Sequence, residues 1–233
     1  MARRTQTHEG RLVGTAVKHT DVGAGDRPVG GLELGLDLDR VVLFSDAVFA
    51  IAMTVLALSL HLPASTPQAG VAHALRASIP SILVYFLSFT VIGRYWLLHH
   101  RYFRRIRQVD SKLLVLNLAM LSMVAFLPFP TQVLGEYGHS GAAVIFYASS
   151  VALLGALATG LWAYASHAHR LIRPDTTEVF VKLSLWRGAA VATVFALSIP
   201  VALINAHAGE WFWLLLVVTN FTLARVYGRV SDA

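Results

Sequence analysis

The most constraining feature of the sequence is a set of apolar runs, each long enough to cross a lipid bilayer. The first extends from Val41 to Leu62 with one carboxylate, Asp46, and no Lys or Arg, and it stops before Pro63. A helix rises 1.5 Å per residue, so about 20 residues cover the ~30 Å hydrocarbon core. Five further runs follow, at about Val71–Arg101, Leu113–Leu134, Ala142–Ala165, Phe180–Ile204 and Trp211–Tyr227. Lipid offers no partner to backbone N–H and C=O groups, so such segments must satisfy them internally as helices. The expectation is an all-α membrane protein with six transmembrane helices. The stretches Gly135–Gly141 and Asn205–Glu210 are short enough to predict tight turns.

Composition agrees with this reading. Hydrophobic residues make up 56% of the chain and charged residues only 14%, against about a quarter charged in soluble domains. There is no cysteine, which excludes disulfides, thiolate metal sites and cysteine nucleophiles. Residues 1–38 are glycine-rich and of mixed charge, without apolar periodicity. They read as a flexible cytoplasmic tail, not a signal peptide, ahead of a membrane domain over 39–233.

The formal net charge of +6 suggests nucleic acid only if the basic residues form one patch. They sit instead between the apolar runs. Six Lys and Arg precede the first run, five lie in 101–112, four in 167–187 and two at Arg225 and Arg229, whereas the opposite side carries Arg76 alone. By the positive-inside rule both termini are expected to be cytoplasmic. Trp211 and Trp213 then fall at the outer interface and Trp186 near the inner one. Gly155 and Gly160 are expected to allow close helix packing.

Two segments carry chemistry. In the first, Asp46 lies within an apolar span, where a carboxylate needs a partner. It can brace neighbouring helices together with Ser45, or serve as an ion or proton ligand. At about 100° per residue, Ile51, Val55 and Leu58 share one face with Thr54 beside them, and Asp46 lies about 140° from Ile51. Ordinary helix packing explains such an apolar stripe as well as a pore wall does. If the helix lines a pore, its wall is apolar with one hydroxyl and Asp46 stands behind it.

The second segment contains Tyr85, Ser88, Phe89, Arg94, Trp96, His99 and His100. Ser88, Trp96 and His99 share part of a helix face, and an Asp–His or Ser–His contact to the first helix would satisfy both partners. His99 and His100 lack the spacing and the carboxylates of a zinc site, and no cofactor is expected. Thr90-Val91-Ile92-Gly93-Arg94-Tyr95 is only superficially like a carbonyl potassium filter, because it continues a helix and carries an arginine. No hydrolase, metalloprotease or phosphate-loop motif occurs.

Arg40-x-x-x-Phe44-Ser45-Asp46, running into Val48-Phe49-Ala50-Ile51-Ala52 and Thr54, resembles the signature of the lysosomal-type potassium leak channels in their bacterial branch. Tyr85-x-x-Ser88-Phe89 with Trp96-x-x-His99-His100 is similar to that family's second motif. Together these motifs cover about 40 residues. The resemblance implies a potassium-permeable cation channel without a carbonyl filter, assembled as a homotetramer in the plasma membrane around a pore lined by the first helix. It implies that Ile51, where bacterial members often carry leucine, forms the narrow constriction, with Val55 and Leu58 as the next layers. Thr54 would act in selectivity, so permeant K+ would pass close to Ile51 and Thr54. Arg40, Phe44, Ser45, Asp46, Trp96 and His99 would form the motif network. A secondary transporter is the alternative, and it favours broken helices and internal repeats; a membrane scaffold subunit is another.

Overall fold

The computed structural model describes residues 38–61, 70–205, 208–209 and 213. Among these run α1 (Leu38–Leu58), α2 (Val71–Ala77), α3 (Ile79–Phe103), α4 (Ser111–Phe126), α5 (Pro128–Tyr137), α6 (Gly141–Ser166) and α7 (Glu178–Ile204). Five stretches are long and apolar enough to cross a membrane: α1, α3, α4 with α5, α6 with the turn after it, and α7. The described residues are thus helical, with five candidate membrane crossings. The expected sixth span, Trp211–Tyr227, lies outside the described residues except for Trp213, which is buried and donates from its indole N–H to Ser198 Oγ at 3.0 Å. That places Trp213 in the helix packing.

Two expected single runs are divided. The second splits into the short α2, none of whose residues is buried, and the long α3. The break falls at Ser78, because Pro80 has no N–H to donate and suits only the first turn of a new helix. The third run bends between Leu127 and Pro128, where the proline ring cannot continue the hydrogen-bond ladder of α4.

Helix α6 is surrounded by α3, α4, α5 and α7, and its contact with α7 is the most extensive in the fold. In lipid the hydrophobic effect does not separate helix from solvent, so this contact depends on close packing. A Cβ built on Gly155 would lie 2.8 Å from Ala192 Cβ and 2.6 Å from the Tyr95 hydroxyl. Only glycine permits that approach of α6 to α7. Gly160 meets nothing within 4 Å, so of the two glycines expected at a helix contact only Gly155 is there.

At the basic end of the bundle the α3–α4 loop is tied to the α6–α7 loop. Ile106 pairs antiparallel with Ile172, with Arg107 N–H donating to Leu171 O at 2.8 Å and Arg173 N–H to Arg105 O at 2.8 Å. Asp110 caps α4 by accepting from Leu113 N–H at 2.8 Å, and it also accepts from the Tyr164 hydroxyl at 2.6 Å and Arg170 Nη2 at 2.8 Å. Partial burial opposes ionisation of Asp110, but these donors outweigh it and hold the carboxyl below its ordinary range.

Candidate functional site

The face of α1 turned toward the rest of the chain carries Val41, Ser45, Phe49, Ala52 and Leu56, all buried at helical spacing. It packs on α3, α4 and α5. Two polar links fix its rotation. Trp96 Nε1 donates to Asp46 Oδ1 at 2.8 Å. Asn117 Nδ2, from α4, donates to Ser45 Oγ at 3.1 Å, while Asn117 Oδ1 accepts from His99 Nε2 at 3.0 Å. Ser45 itself donates to Val41 O at 2.8 Å. The His99 ring is further held by stacking on Phe103, with centroids 4.1 Å apart, and by Phe49 at 5.7 Å.

The expected contact between the first two long helices therefore exists in a different form. Asp46 meets Trp96 and not His99, and Ser45 reaches His99 only through Asn117. A buried side-chain amide can donate and accept at once, which lets one residue join a serine acceptor to an imidazole donor. Arg40 and Phe44 are exposed, and among the described residues Arg40 makes no hydrogen bond or ion pair. The network thus comprises Ser45, Asp46, Trp96, His99 and Asn117.

A second set of buried hydroxyls joins α3, α5 and α6. Thr131 Oγ1 donates to Ser88 Oγ at 2.9 Å, and Ser88 Oγ lies 3.0 Å from the Tyr147 hydroxyl. Ser88 thus belongs to a different cluster from Trp96 and His99.

With one face of α1 fixed in this way, the other face is exposed among the described residues. Ile51 is 62% exposed and Leu58 78%, and Thr54 and Val55 are exposed between them. The Thr54 hydroxyl donates to Ile51 O at 2.7 Å. Its proton is committed to the helix, and the oxygen lone pairs remain directed outward as acceptors. An apolar ledge with one outward oxygen suits a cation that passes along it partly hydrated. At the far end of α1 a cleft of about 450 Å³ separates the helix from the α4–α5 bend, with Val55, Leu58, Phe126, Pro128 and Phe129 on its walls. Among the described residues no group of three or more His, Asp or Glu side chains could hold a metal ion.

Comparison with known proteins places this geometry. The family described as "Endosomal/lysosomal potassium channel TMEM175" matches residues 40–128, which include all of the α1 face and its network. A protein named a potassium channel from Streptomyces collinus is 35% identical over 195 residues, covering 81% of this chain and 90% of that relative. The endosomal/lysosomal proton channel TMEM175 of Gallus gallus is 26% identical over 218 residues, covering 84% of this chain and 43% of its own length. The crystal structure of a lysosomal potassium-selective channel TMEM175 homolog from Chamaesiphon minutus superposes with a TM-score of 0.69 at 26% identity, over 78% of this chain and 95% of that one.

Proposed function

The chain belongs to the TMEM175 family, a family of ion channels and not of enzymes, and on that premise we propose that it is a potassium-permeable channel of the plasma membrane whose pore is lined by α1. The observation that carries the proposal is the division of α1 into two faces. One is fastened to α3 and α4 through Asp46–Trp96 and Ser45–Asn117–His99. The other, with Ile51, Thr54, Val55 and Leu58, is exposed among the described residues.

Four copies place four such faces around one axis, so the active form is a homotetramer. The residues from 39 onward then act as one channel domain, with 1–38 as a cytoplasmic tail. Ile51 forms the narrow apolar neck, with Val55 and Leu58 as successive layers beyond it. No carbonyl filter is needed. A narrow apolar ring stops ions because they cannot shed water there without replacement ligands. Widening it by a small shift of α1 lets partly dehydrated K+ through, and the Thr54 oxygen, about 4.5 Å along the axis from Ile51, contacts the ion as it passes. Ser45, Asp46, Trp96, His99 and Asn117 stay outside the conduction path and hold the rotation of α1. Arg40 and Phe44 remain free for contacts between subunits.

Purified protein in liposomes with an imposed potassium gradient should carry a potassium flux that protein-free liposomes lack. Equal flux with and without protein would refute the channel reading. The excess of basic residues at one end of the bundle favours cytoplasmic termini. A reporter fused after Ala233 should then be active only in the cytoplasm, and activity outside would reverse the orientation.

A further inference from the structure

The two loops at the basic end carry more positive charge than their own acids can match. Asp110 is taken by Arg170 at 2.8 Å, Asp175 by Arg105 at 3.7 Å and Glu178 by Lys182 at 3.4 Å. Arg101, Arg104, Arg107, Lys112 and Arg173 are all exposed, and none has an acidic partner among the described residues. The Ile106–Ile172 bridge and the Arg107–Leu171 and Arg173–Arg105 backbone bonds hold the two loops side by side, with Ile106, Leu171 and Ile172 buried beneath them. Ala168 and His169 both sit at positive φ, 51° and 55°, a conformation costly for residues with a Cβ. The chain reversal after α6 is therefore held in place by this loop pairing.

We propose that this paired-loop surface binds the headgroups of anionic phospholipids in the adjoining leaflet. Arg101 lies in the last turn of α3 and Lys112 in the first turn of α4. Their heads therefore stand where a spanning helix meets the headgroup layer, and Arg104, Arg107 and Arg173 lie just beyond. Like charges held close on a fixed backbone repel one another unless an anion neutralises them. Arg guanidinium forks match phosphate oxygens in pairs. A loop pair already fixed by backbone bonds loses little further freedom when it binds. The surface takes phosphodiester headgroups bearing net negative charge, such as phosphatidylglycerol, and discriminates against zwitterionic ones. It does so independently of what the pore conducts.

The test uses the full chain in neutral detergent, supplied with equal amounts of phosphatidylglycerol and phosphatidylcholine, with co-purifying lipid quantified by mass spectrometry. The parent protein should retain phosphatidylglycerol in preference, and the preference should disappear near 1 M salt, where screening reaches about 3 Å. At about fivefold per charge, R104Q/R107Q/R173Q should weaken retention by roughly a hundredfold. R104K/R107K/R173K, which keeps the charge but loses the guanidinium forks, should keep the preference with weaker retention, and R76Q at the opposite end should retain the lipid like the parent. No preference in the parent, a preference that survives high salt, or a glutamine variant that binds like the parent would each overturn the proposal. So would displacement of the lipid by an equal concentration of inorganic phosphate, since the surface would then be a free-anion site.

Discussion

Ile51→Asn should yield a channel that passes more current and distinguishes potassium from sodium less well. The parent side chain is apolar and exposed on α1, so in the proposed tetramer a ring of four would offer water no hydrogen bond. An asparagine ring offers donors and acceptors at the narrowest point, and the water column becomes continuous. Lowering the barrier by only about 1.4 kcal/mol multiplies passage about tenfold. Discrimination falls because ions cross with their water shells in place and the Thr54 oxygen touches them less. Single-channel recordings with each cation measure both effects. If Ile51 faced lipid, the amide would instead be stranded in hydrocarbon, and the variant would lose stability with conduction unchanged. The two outcomes separate a pore wall from a lipid-facing stripe.

Gly155→Leu should cost about 3 kcal/mol or more of stability, enough to leave little folded protein. The added Cβ would meet the Tyr95 hydroxyl at 2.6 Å, Ala192 Cβ at 2.8 Å and the Ala192 Cα at 3.1 Å. The last belongs to the backbone of α7, so rotating a side chain cannot relieve the clash. Helices α6 and α7 must separate, and with no water to expel from between them their association rests on contact distance. Gly160→Leu is the matched control, because nothing lies within 4 Å of its Cβ position. Its effect should stay below about 1 kcal/mol. Thermal unfolding of both variants in detergent gives the comparison, and equal losses would show that the α6–α7 approach is not what holds the bundle.

The contrast between these two glycines shows what can be read from sequence in a chain of this kind. Spacing alone made Gly155 and Gly160 look equivalent, since both lie among alanines in one apolar run. Which of them meets a neighbour depends on how α6 is rotated, and almost every face of that helix is apolar. Rotation was legible only in α1, where Ser45 and Asp46 break the pattern and separate its packed side from the Ile51–Leu58 side. Even there the partners were not. Asn117, Thr131 and Tyr147 are buried polar groups within the apolar runs, and a buried polar group in a membrane needs a partner. That signal marks each of them as bonded without saying to what, because the partner comes from another helix. The breaks at Ser78 and Leu127 had a local cause in Pro80 and Pro128, yet hydropathy is continuous across both. Length and apolarity mark where the chain can cross better than they mark its course within each crossing.

The absence of native cysteine makes one measurement a direct test of whether α1 lines the conduction path. Single cysteines at Ile51, Thr54, Ala52 and Leu197 create four proteins that each carry one thiol. Ile51 and Thr54 lie on the exposed face of α1, Ala52 is buried on its packed face, and Leu197 is exposed on α7. Each is reconstituted in liposomes, and potassium flux is followed as a cationic, water-soluble thiol reagent is added. A charged group attached inside a narrow pore blocks cations by repulsion, whereas a thiol in lipid or in packed helices never meets the reagent. The predicted result is loss of flux for Ile51→Cys and Thr54→Cys, with Ala52→Cys and Leu197→Cys unaffected. Unchanged flux at both Ile51→Cys and Thr54→Cys, in proteins that still conduct, would contradict a pore lined by α1.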